Sequence, residues 1–397
     1  MEQNHNPNRP QRRSPVARNR RLQGQYLSWL LIGTVVLFLI LGFVTKDRDF
    51  SESENRKLAS FPEFTLASVT DGSFLSGLGD YVADQFPMRD MWMSLNLWMN
   101  KTLGQQEASG VYLCEDDYLM QIPAEPNQAQ HDRNLAAMEA FAANHPDLNT
   151  VVTIVPNAVT VHADKLPENA PVRDQAADLA YIRHNLPSLN FVDVTDVLKA
   201  NKNEQLFYRT DHHWTSMGAF YAFTEISEHL EIAPTTLNDY QVYTVSSTFE
   251  GTLSSKAGSH KVKDTVQVIV PNTPIEYYVT YDTDQSGICS MYKREALDAK
   301  DHYTVFFGGN YGRVDITTTT DTGRVLLVFK DSYANCFMQY LYPYFDHITM
   351  IDPRYYYDNL ELVIKSEAVT DVLFLYNADT FLGDTTLADV LTIEQSE

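Results

Sequence analysis

Residues 324–345 read RVLLVFKDSYANCFMQYLYPYF. A near-continuous apolar run, Val325 to Phe329, gives way at Asp331–Ser332 to a stretch of helical character that starts near Tyr333. A short unbroken apolar run of this kind predicts a strand buried on both faces, which is the habit of parallel sheets. The turn would then fall at the carboxyl edge of the sheet, where the first N–H groups of the helix are unpaired. A serine at that place has two uses. It can cap the helix, or it can attack a substrate whose developing negative charge those N–H groups stabilise.

Working outward, the same kind of run recurs at 150–156 (TVVTIVP), 190–195 (NFVDVT), 347–352 (HITMID) and 369–377 (VTDVLFLYN). Helical periodicity falls between these runs, over 128–144, 172–186, 215–230 and 333–342. Alternation of strand and helix predicts an α/β domain with a mostly parallel sheet flanked by helices. The stretch 240–320 departs from this, being rich in Thr, Tyr, Val and turn residues, and reads as a β-rich insertion of antiparallel strands or loops. Residues 71–104 show apolar spacing suited to two short helices interrupted at Pro87, and 49–65 reads as an extended stalk.

The amino end has its own character. Residues 1–25 hold six arginines against one glutamate, so the rest of the chain is more acidic still than the formal −22 of the whole. An acidic bulk excludes a nucleic-acid partner for the main domain. The run YLSWLLIGTVVLFLILGFV (26–44) carries no charge and is long enough, at about 1.5 Å per residue, to span a bilayer. It continues without a small-x-small cleavage site, so it reads as an anchor rather than a cleaved signal. The arginines on its amino side place the head in the cytoplasm. The organisation expected is therefore a basic cytoplasmic tail (1–25), a transmembrane anchor (26–45), a stalk with a helical segment (46–110) and a main domain (111–397). That makes it a single-pass membrane protein with an external catalytic or binding domain. Three cysteines, Cys114, Cys289 and Cys336, allow at most one disulfide.

A second stretch, TDHHWTSMG (210–218), supplies what a serine would need. If 209–214 were extended, Asp211 and His213 would share a face and His212 would point the other way. Asp211 could then orient the imidazole of His213 while its other nitrogen takes a proton from a serine. Trp214 is large enough to wall such a site, and Thr215 or Ser216 is placed to cap the following helix. A hydrogen-bonded core pair is the plain alternative, and metal capture is the rival reading. Two adjacent histidines on a strand cannot easily hold one ion, and no second cluster has a familiar ligand spacing, so no metal is expected.

The TDHHW string, the upstream SESENRKLASFPEF and DGSF…YVADQFPMRD segments, and FKDSYAN, taken in this order, resemble the DHHW protein family. That family is similar to the alginate O-acetylation proteins of the SGNH-hydrolase-like superfamily. The resemblance covers roughly residues 48–390. It implies an SGNH-hydrolase-like fold in which Asp211 orients His213, His213 is the base and Ser332 is the nucleophile. The order along the chain, Asp and His before Ser, is that of the alginate proteins. The family glycine and asparagine do not map cleanly. Tyr333 through its backbone N–H, Asn310 in FFGGNYG, and Asn377 at a strand end are the candidate oxyanion donors, while GGNYG also reads as a plain turn. Trp214 and Arg354 are the substrate-binding candidates, although Arg354 reads first as an exposed surface residue. The implied function is O-acetyl transfer or O-acetyl ester hydrolysis on a bacterial surface polysaccharide. No cofactor is implied, and a membrane-bound O-acyltransferase partner would deliver the acetyl group. A non-catalytic carbohydrate-binding or assembly protein that keeps the fold is the alternative.

Overall fold

In a computed structural model, residues 15–51, 56–273, 275–282, 284–288 and 290–392 are described, so Cys289 and most of the basic head lie outside the described residues. The chain divides into two compact units, Met1–Ser51 with Arg56–Met93, and Glu52–Asn55 with Ser94–Glu397. A helix over Pro15–Val44 opens the first, and its Gln23–Gly42 segment is long and apolar enough to cross a membrane. Helices Leu66–Thr70 and Ser73–Asp84 follow, and another runs over Arg89–Thr102, with Pro87 in the break before it.

The larger unit is built on an eight-stranded sheet. Its strands are β1 (Asn149–Val155), β2 (Asn190–Phe191), β3 (Tyr277–Tyr281), β4 (Asp284–Ile288), β5 (Arg313–Thr318), β6 (Val325–Lys330), β7 (His347–Ile351) and β8 (Asp371–Asn377). They lie in the order β4-β3-β5-β7-β6-β8-β1-β2. From β7 through β2 every neighbouring pair is parallel, while β4, β3 and β5 join the other flank antiparallel. The fold is the expected α/β class with a mixed sheet. The stretch 240–320 is only in part a separate insertion. Tyr240–Phe249 and Asp264–Pro271 form their own hairpin, but the three later strands extend the main sheet.

Alternate side chains of the central strands enter two cores. Val151, Val155, Leu326, Val328, Leu373 and Leu375 pack under helices Ser216–His229 and Tyr333–Leu341. Val152, Ile154, Leu327, Phe329, Val372 and Phe374 pack under Gln128–Asn144, Gln175–His184 and Leu360–Glu367. Burial on both faces is why these strands read as unbroken apolar runs. The run at 190–195 pairs only as Asn190–Phe191. Asp193 then accepts the N–H of Thr195 at 2.9 Å and starts helix Thr195–Ala200 instead. Within the parallel part, β6 lies between β7 and β8. Its carboxyl end is thus enclosed, and Ser332 emerges from it.

Candidate active site

Ser332 occupies the N-cap position of helix Tyr333–Leu341, yet its side chain makes no capping bond. Asp331 caps in its place, accepting the N–H of Tyr333 at 2.8 Å. The same carboxylate accepts the N–H of Asn377 at 3.0 Å and a side-chain hydrogen from Asn377, which ties the ends of β6 and β8 together. Asp331 is completely buried, and burial raises its pKa against those hydrogen bonds. The hydroxyl of Ser332 is free to face another partner. That partner is His213, with 2.7 Å between Oγ and Nε2.

His213 arrives from a bend rather than a strand. Phe207 and Trp214 form an antiparallel bridge. The loop between them closes with Tyr208 N–H donating to the His213 carbonyl at 3.2 Å. The extended backbone expected over 209–214 is therefore absent, and His212 does not point to the opposite side. The two imidazoles lie 3.9 Å apart, centroid to centroid, and His212 Nδ1 meets Thr252 Oγ1 at 2.9 Å. The i, i+2 relation of Asp211 and His213 survives by another route: Asp211 Oδ1 lies 2.5 Å from His213 Nδ1 and also accepts the backbone N–H of His213 at 3.0 Å.

The second carboxylate oxygen of Asp211 accepts from the N–H and hydroxyl of Thr252, at 2.7 and 2.8 Å. Burial acts to raise the pKa of Asp211, but the neighbouring imidazoles and these bonds hold it well below the usual carboxylate range. Gly251 makes the fit possible, because a Cβ there would stand 2.3 Å from Asp211 Cβ. Buried Asp264 fixes the preceding turn by accepting the N–H groups of Arg209 and Thr210, at 3.0 and 2.8 Å. Tyr303 covers His213, its ring 3.8 Å away and nearly parallel, and its hydroxyl donates to the Ser332 carbonyl at 2.7 Å. His212, between burial and His213, has its pKa pushed down to about 4.

The other candidates fall elsewhere. Trp214 is fully buried, stacks on Tyr333 and Phe337, and donates its indole N–H to the Tyr333 carbonyl at 2.9 Å. It braces the serine-bearing helix from below and cannot stack on a sugar. The N–H of Tyr333 is spent on Asp331, and both amide hydrogens of Asn377 go to Asp331 and Thr380. Asn310 turns its carbonyl to Lys330 and Asn335, at 3.1 and 3.2 Å. The Tyr333 N–H and the Asn377 amide are therefore not free donors for the serine. Among the described residues nothing accepts the N–H of Ser332 itself. Arg354 is held bidentately by buried Asp352, at 2.8 and 2.6 Å, so it is not a free surface residue.

Ligand atoms of Asp211, His212 and His213 do lie within 4.8 Å of one another, closer than adjacency on a strand would allow. Their hydrogen bonds run to Ser332, Thr252 and each other. Cys114 and Cys336 are free thiols, and burial pushes the pKa of each up to about 12. Thr252, Gly251 and Tyr303 had no signal in the sequence. Each meets the site across 29 to 90 residues of chain, through contacts no local motif records.

Fold and comparison agree on the class. Residues 113–310 match the model of the SGNH hydrolase-like domain of acetyltransferase AlgX, and residues 54–113 match the DHHW protein family. The chain has the SGNH-hydrolase-like α/β fold. Asp211 and His213 lie inside the matched region, and Ser332 lies beyond it.

It is similar to DHHW proteins and to an alginate O-acetylation protein. A probable alginate O-acetylase AlgJ of Pseudomonas syringae pv. tomato is 27% identical over 176 residues, 41% of this chain. The match spans 44% of that relative's length. Among solved structures, a DHHW family protein from Eubacterium siraeum is similar over 72% of this chain and 95% of its own, with TM-score 0.62 and 24% identity. PatB1 of Bacillus cereus, solved with a sulfonyl adduct, is similar over 72% of this chain and all of its own, with TM-score 0.59 and 18% identity. These likenesses establish the fold.

Proposed function

We propose that this chain transfers acyl groups, acetyl above all, on a cell-surface polysaccharide, with Ser332 as nucleophile. The observation that carries the reading is the unbroken chain of contacts from Asp211 through His213 to Ser332, 2.5 and 2.7 Å long. Ser332 Oγ attacks the acetyl carbonyl carbon while His213 Nε2 takes its proton. The imidazolium returns that proton to the departing alcohol, leaving an acetyl-enzyme. A sugar hydroxyl then gives its proton to His213 as its oxygen bonds the acetyl carbon, and Ser332 leaves with the proton restored. Asp211 keeps the Nδ1–H tautomer and stabilises the imidazolium. The N–H of Ser332 holds the oxyanion. No cofactor enters these steps.

The reading of transfer over simple hydrolysis draws on the alginate O-acetylase kinship. In this reading the apolar helix anchors the chain, the arginine-rich head is cytoplasmic, and the domain from about residue 46 works outside the membrane. The acetyl group would come from a membrane-bound O-acyltransferase partner. The test uses the purified full-length chain with p-nitrophenyl acetate and an arylsulfonyl fluoride. The expected result is ester turnover, with one sulfonyl group on Ser332 by peptide mass. Unchanged turnover in Ser332→Ala and His213→Ala would sink the proposal and leave a non-catalytic glycan-binding role.

A further inference from the structure

A cleft of about 280 Å³ opens beside the site, between the loops that follow β1 and β8. Its polar lining is Gln121, Asn157, Asp211, His212, Asn377, Asp379 and Thr380. His212 carries the cleft to within one ring of His213 and so to the serine. The volume falls just under the roughly 300–1,000 Å³ of drug-sized sites, which suits one sugar ring rather than several.

The charge of this lining is one-sided. Asp211 and Asp379 are both acids, and no lysine or arginine is among the lining residues. Asp379 is fixed in place, its two oxygens accepting from Gln121 at 2.7 Å and from the N–H of Ala124 at 3.2 Å. His212, with its low pKa, brings no positive charge at neutral pH. Lys256, exposed on helix Thr252–Ala257, partly offsets Asp379 from outside the cleft. On the far flank Arg354 is engaged with Asp352. Basic side chains do line another cleft of this unit, where Lys165, Lys202 and Arg209 stand among Asp116, Asp117, Asp164 and Glu204, but that cleft is not the one at the serine.

We infer that the cleft receives an uncharged glycan unit, bound by amide, hydroxyl and imidazole groups, and discriminates against uronates. The inference rests on the acyl-transfer reading. A carboxylate on the sugar would be desolvated between two fixed acids with no cation to pair it, which is the costly arrangement. Neutral hydroxyls and N-acetyl groups find both donors and acceptors there. The acidic net charge of the chain adds long-range repulsion against a polyuronate.

The test gives the full-length chain p-nitrophenyl acetate with tetramers of N-acetylglucosamine, glucose or mannuronate, and reads acetylated sugar by mass. The same ratio is read in deacetylation of the O-acetylated tetramers. We expect the uncharged tetramers to be used at least tenfold better than the mannuronate one. That ratio should shrink in 0.5 M NaCl and in Asp379→Asn. If the Asn variant fails to fold, the salt series on the natural chain carries the test. Absence of a p-nitrophenol burst would tell against the acyl-transfer reading itself. A normal burst with mannuronate used as well or better, with neither kind of tetramer used, or with a ratio indifferent to salt would overturn the inference about the cleft.

Discussion

His213 and Ser332, 119 positions apart in the chain, meet through a single 2.7 Å contact between Nε2 and Oγ. The sheet order explains the meeting. Ser332 leaves the carboxyl end of β6, and the DHHW bend is pinned above it by Trp214, whose indole grips the first turn of the serine-bearing helix. Ser332→Ala and His213→Ala should each reduce esterase turnover by at least about 10³-fold, and the double variant should be little worse than either single one. Stopped-flow and steady-state rates on the three proteins check this. Additive losses would mean that the two residues do not act as a unit.

Asp211 contributes orientation and charge together. Asp211→Asn keeps the size and the contact to Thr252 but offers His213 the wrong hydrogen-bonding face, so turnover should fall by about 10²–10⁴-fold with the fold intact. Gly251→Ala reaches the same residue by steric means. Its Cβ would stand 2.5 Å from Asp211 Oδ2, and something must shift at a cost of about 1–3 kcal/mol. Circular dichroism melting beside turnover separates the two effects. A Gly251→Ala protein with undiminished activity would show that Asp211 need not sit where it does.

How far these features could be read from the chain follows from their range. The central strands are apolar on both faces, and that pattern is local, so β1, β6, β7 and β8 stand within two residues of where the sequence puts them. The antiparallel flank was harder, because Thr- and Tyr-rich half-exposed strands look alike whether they form a separate hairpin or extend a main sheet. That Asp211, His213 and Ser332 would meet could be anticipated, because what draws them together lies in their own side chains. The oxyanion donors could not, since Asp331 takes the N–H of Tyr333 and the amide of Asn377, bonds that exist only once β6 and β8 lie side by side. His212 was misplaced because its direction depended on an extended backbone that the Phe207–Trp214 closure replaces with a bend.

Trp214 separates a structural role from a binding role. Trp214→Phe keeps a ring against Tyr333 and Phe337 but removes the indole bond to the Tyr333 carbonyl, which should cost about 1 kcal/mol of stability. Turnover should fall as the helix under Ser332 loosens, while KM for an oligosaccharide stays where it was. A rise in KM with unchanged turnover would return Trp214 to the substrate side.

Acid stability gives a last prediction, in which two groups oppose each other. His212 has its pKa pushed down from 6.5 to about 4 in the folded chain, first by burial. Between those values the unfolded chain binds the extra proton, so this residue lowers stability as pH falls from 6.5 to 4. Asp301, beside Asp211, has its carboxyl raised from 3.8 to about 6, again by burial first. There the folded chain keeps the proton longer, so this residue lowers stability as pH rises from 4 to 6. Each contribution is read as the change a substitution makes relative to the natural chain at the two pH values. His212→Gln should become more stable at pH 4.5 relative to pH 7.5, and Asp301→Asn should become more stable at pH 7.5 relative to pH 4.5. Both variants keep a side chain able to hydrogen-bond, to Thr252 and to the N–H of Tyr303 respectively. Urea titrations at the two pH values decide it, and parallel shifts of either variant at both would show that neither group titrates differently on folding.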